Sequence, residues 1–129
     1  MSTLVRMLAM LSVLGLAACS DDTRTLTVTA TAYTSSPGET DARPDEAAWG
    51  DILRPGMKAI AVSRDLIDAG LDHGTEVSIE GLDGHYVVLD KMNRRWTEKI
   101  DIYMGKDVAG ARAWGRRTVE IAWEPAQEE

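Results

Sequence analysis

Tyr86-Val-Val-Leu-Asp-Lys-Met-Asn-Arg-Arg-Trp-Thr-Glu-Lys-Ile-Asp-Ile-Tyr103 is the stretch that decides the fold. Val87, Val88 and Leu89 make an apolar run at one end, and Ile100 and Ile102 flank the other. Branched and aromatic side chains suit a pleated, half-buried surface, so the spacing predicts strands over His85–Leu89 and Ile100–Tyr103. The polar loop Lys91–Lys99 joins them. One carboxylate stands at each strand boundary: Asp90 closes the first run, and Asp101 interrupts the isoleucines.

The same period of two appears on both sides of this segment. Leu26–Tyr33 alternates threonine with apolar residues, and Thr118–Trp123 alternates cleanly near the end. Ala59–Val62 is a short apolar run that reads as a buried strand, and Thr75–Ile79 forms a hairpin with His85–Leu89 across Gly81–Gly84. Two short helices are predicted. Ser63–Gly70 offers Ser63 as N-cap, Asp65 in the first turn and Gly70 at the end, while Asp107–Trp114 stops at Gly115. Thr34–Gly56 is an irregular loop with three of the four prolines and Trp49. No internal repeat is visible. Six short strands, two small helices and no strand–helix–strand rhythm predict one all-β domain, a small β-barrel.

The first residues form a unit of their own. Arg6 precedes the apolar stretch Met7–Leu16, which is too short to span a bilayer. Leu16-Ala-Ala-Cys19 then resembles the lipobox of bacterial lipoproteins. The expected division is a leader over 1–18, lipidation at Cys19, a tether over 19–25, the barrel over 26–123 and an acidic tail over 124–129. Ser20 after the cysteine resembles the routing signal that sends Gram-negative lipoproteins to the outer membrane. The expected location is therefore the cell envelope, lipid-anchored and facing the periplasm.

The chain has 129 residues, enough for one domain. Its net charge of −7 argues against nucleic acid, which needs clustered cations to displace counterions. One cysteine permits no internal disulfide, and with two histidines it makes no ordinary zinc site, so neither a metal nor a cofactor is expected. His73 and His85 lie beside turn glycines and read as solvated.

Asp90 and Asp101 are the candidate catalytic pair. Strands that leave and return through one loop can bring two carboxyls together, and close carboxylates leave one with a raised pKa. A carboxyl that keeps its proton near neutrality can protonate the leaving oxygen of a glycosidic bond. The alternative is structural: Lys91, Arg94, Arg95 and Lys99 pair with the acids and keep both ionised.

Several motifs occur in a telling order: Thr31-Ala-Tyr33, Ile60-Ala-Val62, Gly74-Thr-Glu-Val77, Val88-Leu-Asp90, Ile100-Asp-Ile-Tyr103 and Trp114-Gly-Arg-Arg-Thr-Val119. This order resembles the 3D (Asp-Asp-Asp) domain, a double-psi β-barrel similar to the C-terminal domain of membrane-bound lytic transglycosylase A. A more distant likeness is to rare lipoprotein A and expansin-like barrels. The resemblance covers Leu26 to Trp123. It implies Asp101 as general acid/base, Asp90 as its assistant, and peptidoglycan glycan strands as the substrate, cut between MurNAc and GlcNAc with closure of a 1,6-anhydro ring.

The chain departs from the family pattern twice. Ser63 stands where the family's first aspartate usually follows the Ala-Val strand, with Asp65 two residues on. Lys91–Lys99 replaces the family's Gly-Gly-Ala-Ile-Lys-Gly loop. The replacement still suits a sugar polymer: Trp96 either stacks on a pyranose or packs on the barrel rim, and Asn93, Arg94 and Arg95 offer donors to hydroxyls and carboxylates. Tyr33 and Ser63 complete the expected substrate-binding set, with a core aromatic and a helix cap as their structural alternatives. Trp49 is a second possible platform, while Trp114 and Trp123 are expected in the core. The expected function is a lipid-anchored, lytic-transglycosylase-like glycan cleaver. The alternatives are a non-catalytic peptidoglycan-binding barrel and a structural envelope lipoprotein.

Overall fold

The computed structural model describes residues 22–35 and 46–125. The expected leader, Cys19 and the end of the acidic tail lie outside the described residues. Eight elements follow one another: β1 (Arg24–Tyr33), β2 (Ala59–Val62), α1 (Arg64–Asp68), β3 (Glu76–Ile79), β4 (Tyr86–Lys91), β5 (Lys99–Tyr103), α2 (Val108–Trp114) and β6 (Arg117–Trp123). The strands close a barrel in the order β1-β5-β2-β4-β3-β6.

Two pairs are parallel, β1 with β5 and β2 with β4, and the remaining four are antiparallel. The strand order forces two crossings. The β1–β2 connection must pass β5, and the β4–β5 connection must pass β2. These interlocked crossings make the six-stranded double-psi barrel that the sequence motifs imply. The pairing also maps onto itself when β1-β2-α1-β3 is exchanged with β4-β5-α2-β6, a two-fold relation that no sequence repeat announces.

Alternate residues fill the interior: Val28 and Ala30 of β1, Ile60 and Val62 of β2, Ile100 and Ile102 of β5, Val119 and Ile121 of β6. All four β2 residues are buried because the outer face is covered too. There Ala59 and Tyr103 pack with Ala47 and Leu53 of the β1–β2 connection, and Tyr33, Met57 and Leu89 lie against them.

β1 starts at Arg24, two residues before the expected Leu26, because Arg24 and Thr25 continue the ladder with Trp123 and Ala122. Trp114 is buried as expected, and its indole N–H donates to the Ala30 carbonyl (3.1 Å), locking α2 on β1. Asp107 caps α2 by accepting from the Gly110 N–H at 2.9 Å. Ser63 occupies the N-cap position of α1 but makes no side-chain cap, since its hydroxyl is engaged by β5. Gly70 follows α1 at φ 108°, where a Cβ would also meet Trp123 and Pro125 at 3.3 Å. That close approach seats the helix against Trp123, the second indole expected in the core.

Candidate functional site

The outer faces of four strands set out a small grid. In β5, Lys99, Asp101 and Tyr103 point away from the interior, because Ile100 and Ile102 point into it. Thr29, Thr31 and Tyr33 of β1 stand beside them in parallel register. In β2, Ala61 is directly paired with Asp101 on one side and with Asp90 of β4 on the other. The middle row therefore reads Thr31–Asp101–Ala61–Asp90. The two acids are separated by two strand spacings, about 9–10 Å at the backbone.

Asp90 reaches this row through an irregularity. Strict alternation in β4 would set it on the interior side with Val88. The β2–β4 register shifts between Ile60 and Ala61, so that Val88 pairs with Ile60 but Asp90 with Ala61, and Leu89 is the extra residue. A β-bulge re-aims the side chains beyond it, and here it turns a carboxylate out of the core onto the Asp101 face.

Thr31 Oγ1 donates to Asp101 Oδ1 at 3.0 Å. Burial pushes the Asp101 carboxyl above its ordinary pKa; the Thr31 hydrogen bond and the Lys99 charge pull it down, and the Asp90 charge pushes it up again. Asp90 Oδ1 accepts two backbone N–H bonds, from Ala48 at 2.7 Å and Lys91 at 2.9 Å, which fix its orientation. The Tyr33 phenol is raised by burial and then by the charges of Asp90 and Asp101. Its hydroxyl is buried close enough to Asp90 to feel that carboxylate, yet without a well-aligned hydrogen bond. Its ring packs on Tyr103, centroids 5.5 Å apart.

The remaining expected residues are distributed around this row. Ser63 is fully buried, and its Oγ accepts the Lys99 N–H at 3.0 Å, so its hydroxyl is committed to the chain. Trp96 is half-buried with the Lys99 ammonium 3.7 Å from its ring centroid and the Arg95 guanidinium at 4.9 Å. Asn93, Arg94 and Arg95 are exposed, and the Asn93 side chain accepts the Arg95 N–H at 3.0 Å to tighten the loop. Trp49 packs on His73 (5.1 Å) beneath Lys91, and His73 bonds Asp51 at 2.7 Å.

Three residues take roles in the structure that the sequence does not reveal. Thr31 looks like one more threonine in an alternating strand. Lys99 looks like a loop cation but is 8% exposed at the start of β5. Asp65 accepts the Glu98 N–H at 3.0 Å, holding the strained left-handed residue (φ 46°) from which the chain enters β5. A hollow of about 460 Å³ lies elsewhere, against β3 and β6, lined by residues that include Glu76, Ser78, His85 and Trp123. Neither Asp90 nor Asp101 lines it. Among the described residues no cluster of side chains is arranged to hold a metal ion.

No family model matches the chain, and no curated protein matches it. Among solved structures, apo expansin of Clavibacter michiganensis is similar at 17% identity and a TM-score of 0.48, with 82% of this chain and 52% of that one covered. A mutant of that expansin in complex with cellohexaose is similar at 16% identity and the same TM-score. The chain spans about half the length of these expansins. At that level the likeness carries nothing about activity or ligand.

Proposed function

We propose that this is a lipid-anchored cell-envelope protein that cleaves peptidoglycan glycan strands by general acid/base chemistry centred on Asp101. The observation that carries the reading is the row Thr31–Asp101–Ala61–Asp90, in which a carboxyl with a raised pKa shares one face with a second acid. The peptidoglycan substrate rests on the motif resemblance, and the anchor on the Leu16–Cys19 lipobox.

The steps follow from the roles of the atoms. Thr31 occupies Asp101 Oδ1, leaving Oδ2 as the proton-bearing oxygen. Asp101 gives that proton to the oxygen between MurNAc and GlcNAc as the bond to C1 breaks. Positive charge developing at the sugar ring is stabilised by the nearby Asp90 carboxylate. Asp101, now an anion, takes the proton from the C6 hydroxyl while O6 bonds to C1. The product is a 1,6-anhydro sugar, Asp101 ends protonated, and no water is consumed. General acid/base participation of this kind contributes about 10²–10⁴-fold in rate.

Incubation of purified sacculi with the protein should release anhydro-muropeptides, read by mass, and Asp101→Asn should abolish the release. Hydrated products would replace ring closure by hydrolysis. No product from the wild-type protein, with retention on sacculi, would leave the binding-module reading.

A further inference from the structure

Lys99 is an anomaly. Lysine is almost never buried unless paired, yet Lys99 is 8% exposed, and among the described residues it forms no ion pair. Its ammonium lies instead on the Trp96 ring, 3.7 Å from the centroid, where the negative face of the indole offsets part of the lost hydration. Its backbone is held from both sides: the N–H donates to Ser63 Oγ (3.0 Å), and the carbonyl accepts the Ser63 N–H (2.9 Å). Lys99 and Asp101 stand two residues apart on one face of β5, about 6.5–7 Å between Cα atoms.

We infer that Lys99 is a positioning residue for Asp101: seated on Trp96 instead of in an ion pair, its ammonium favours the carboxylate without pinning it, so the acid can lose and regain its proton in one turnover. A direct ion pair would hold Asp101 ionised and remove the acid the first step needs. With no cation near, burial and the Asp90 charge would oppose the anion formed after that step. The groups facing Asp101 are Thr31 and Tyr33 of β1, Ala61 of β2, Asp90 of β4, and Lys99 and Tyr103 of its own strand. Lys99 is the only cation among them, and its charge lowers the Asp101 pKa. The inference rests on Asp101 being the acid of the proposed reaction.

The test is a ¹³C-carboxyl NMR titration of Asp101 in the full chain, which needs no substrate. Lys99→Met should move the Asp101 midpoint upward, and Lys99→Arg should return it toward the wild-type value; Lys99→Gln serves if the methionine variant does not fold. A midpoint unchanged in the neutral variants overturns the inference. A shifted midpoint in a protein whose wild type releases no muropeptides would defeat the proposed reaction and leave the Lys99–Asp101 coupling standing.

Discussion

Replacing Asp101 with Asn exchanges one carboxyl oxygen for an amide nitrogen, and the structure fixes the sign of two consequences. The first is loss of chemistry, since an amide cannot give a proton and take one back. Sacculus digestion should fall by about 10²–10⁴-fold. The second is a pH-dependent gain in stability. The folded Asp101 pKa lies above the ordinary value of 3.8, chiefly through burial. Between those two values the folded chain holds a proton that the unfolded chain has lost. Wild-type stability therefore falls as pH rises through that window, at no more than about 1.4 kcal/mol per pH unit. Solvent at the exposed edge of this half-buried group keeps the realised slope below that ceiling. The amide has no such loss and still accepts from Thr31. Urea unfolding of both proteins from pH 3 to 8 should show the variant gaining on the wild type with rising pH, then holding a constant lead. Each 1 kcal/mol corresponds to about 4–8 °C in Tm for a domain of this size. A stability difference independent of pH, or one that shrinks as pH rises, would refute the reasoning.

Other substitutions test the surrounding bonds. Thr31→Val removes the 3.0 Å donor to Asp101, should cost about 1 kcal/mol, and should raise the Asp101 titration midpoint; an unmoved midpoint contradicts the assigned bond. Ser63→Ala leaves the buried Lys99 N–H without its acceptor and should lower stability in urea by about 1–3 kcal/mol. Asp90→Ala deprives the Ala48 and Lys91 N–H groups of their acceptor, whereas Asp90→Asn keeps one oxygen for them. Limited proteolysis around Ala48 should therefore speed up in the alanine variant and stay near wild type in the asparagine one; equal rates would mean that Asp90 does not hold this connection.

The strands were legible because their alternation is local. Leu26–Tyr33 and Thr118–Trp123 show a period of two in the sequence, and the ends of the observed strands differ from the expected ones by at most two residues. The site was only half legible for the same reason. Local alternation places Asp90 inside the barrel with Val88, and only the shift opposite Ile60 and Ala61 brings it out to Asp101. Such a bulge depends on the neighbouring strand, so no pattern within Tyr86–Lys91 reveals it. Thr31 and Ser63 were obscured differently. Their hydroxyls act across 70 and 36 residues of chain, on Asp101 and on the Lys99 N–H. Nothing in their immediate surroundings in the sequence distinguishes them from surface threonines or helix caps.

The two-fold relation between the halves explains why the site sits where it does. Exchanging the halves carries β2 onto β5 and β1 onto β4, so the middle row maps onto itself: Asp101 takes the place of Ala61, and Thr31 that of Asp90. The backbone thus offers two equivalent pairs of positions, and function requires the members of each pair to differ. A carboxylate at both central positions would set like charges directly opposite on paired strands, a destabilising arrangement. Ala61, with one methyl group and 5% exposure, keeps that position neutral and small between the two acids. At the outer positions a hydroxyl faces one central residue and a carboxylate the other, so Asp101 receives a hydrogen bond from one neighbour while the second acid stays a strand away. The unequal proton affinities that acid/base work demands come from filling a symmetric frame asymmetrically.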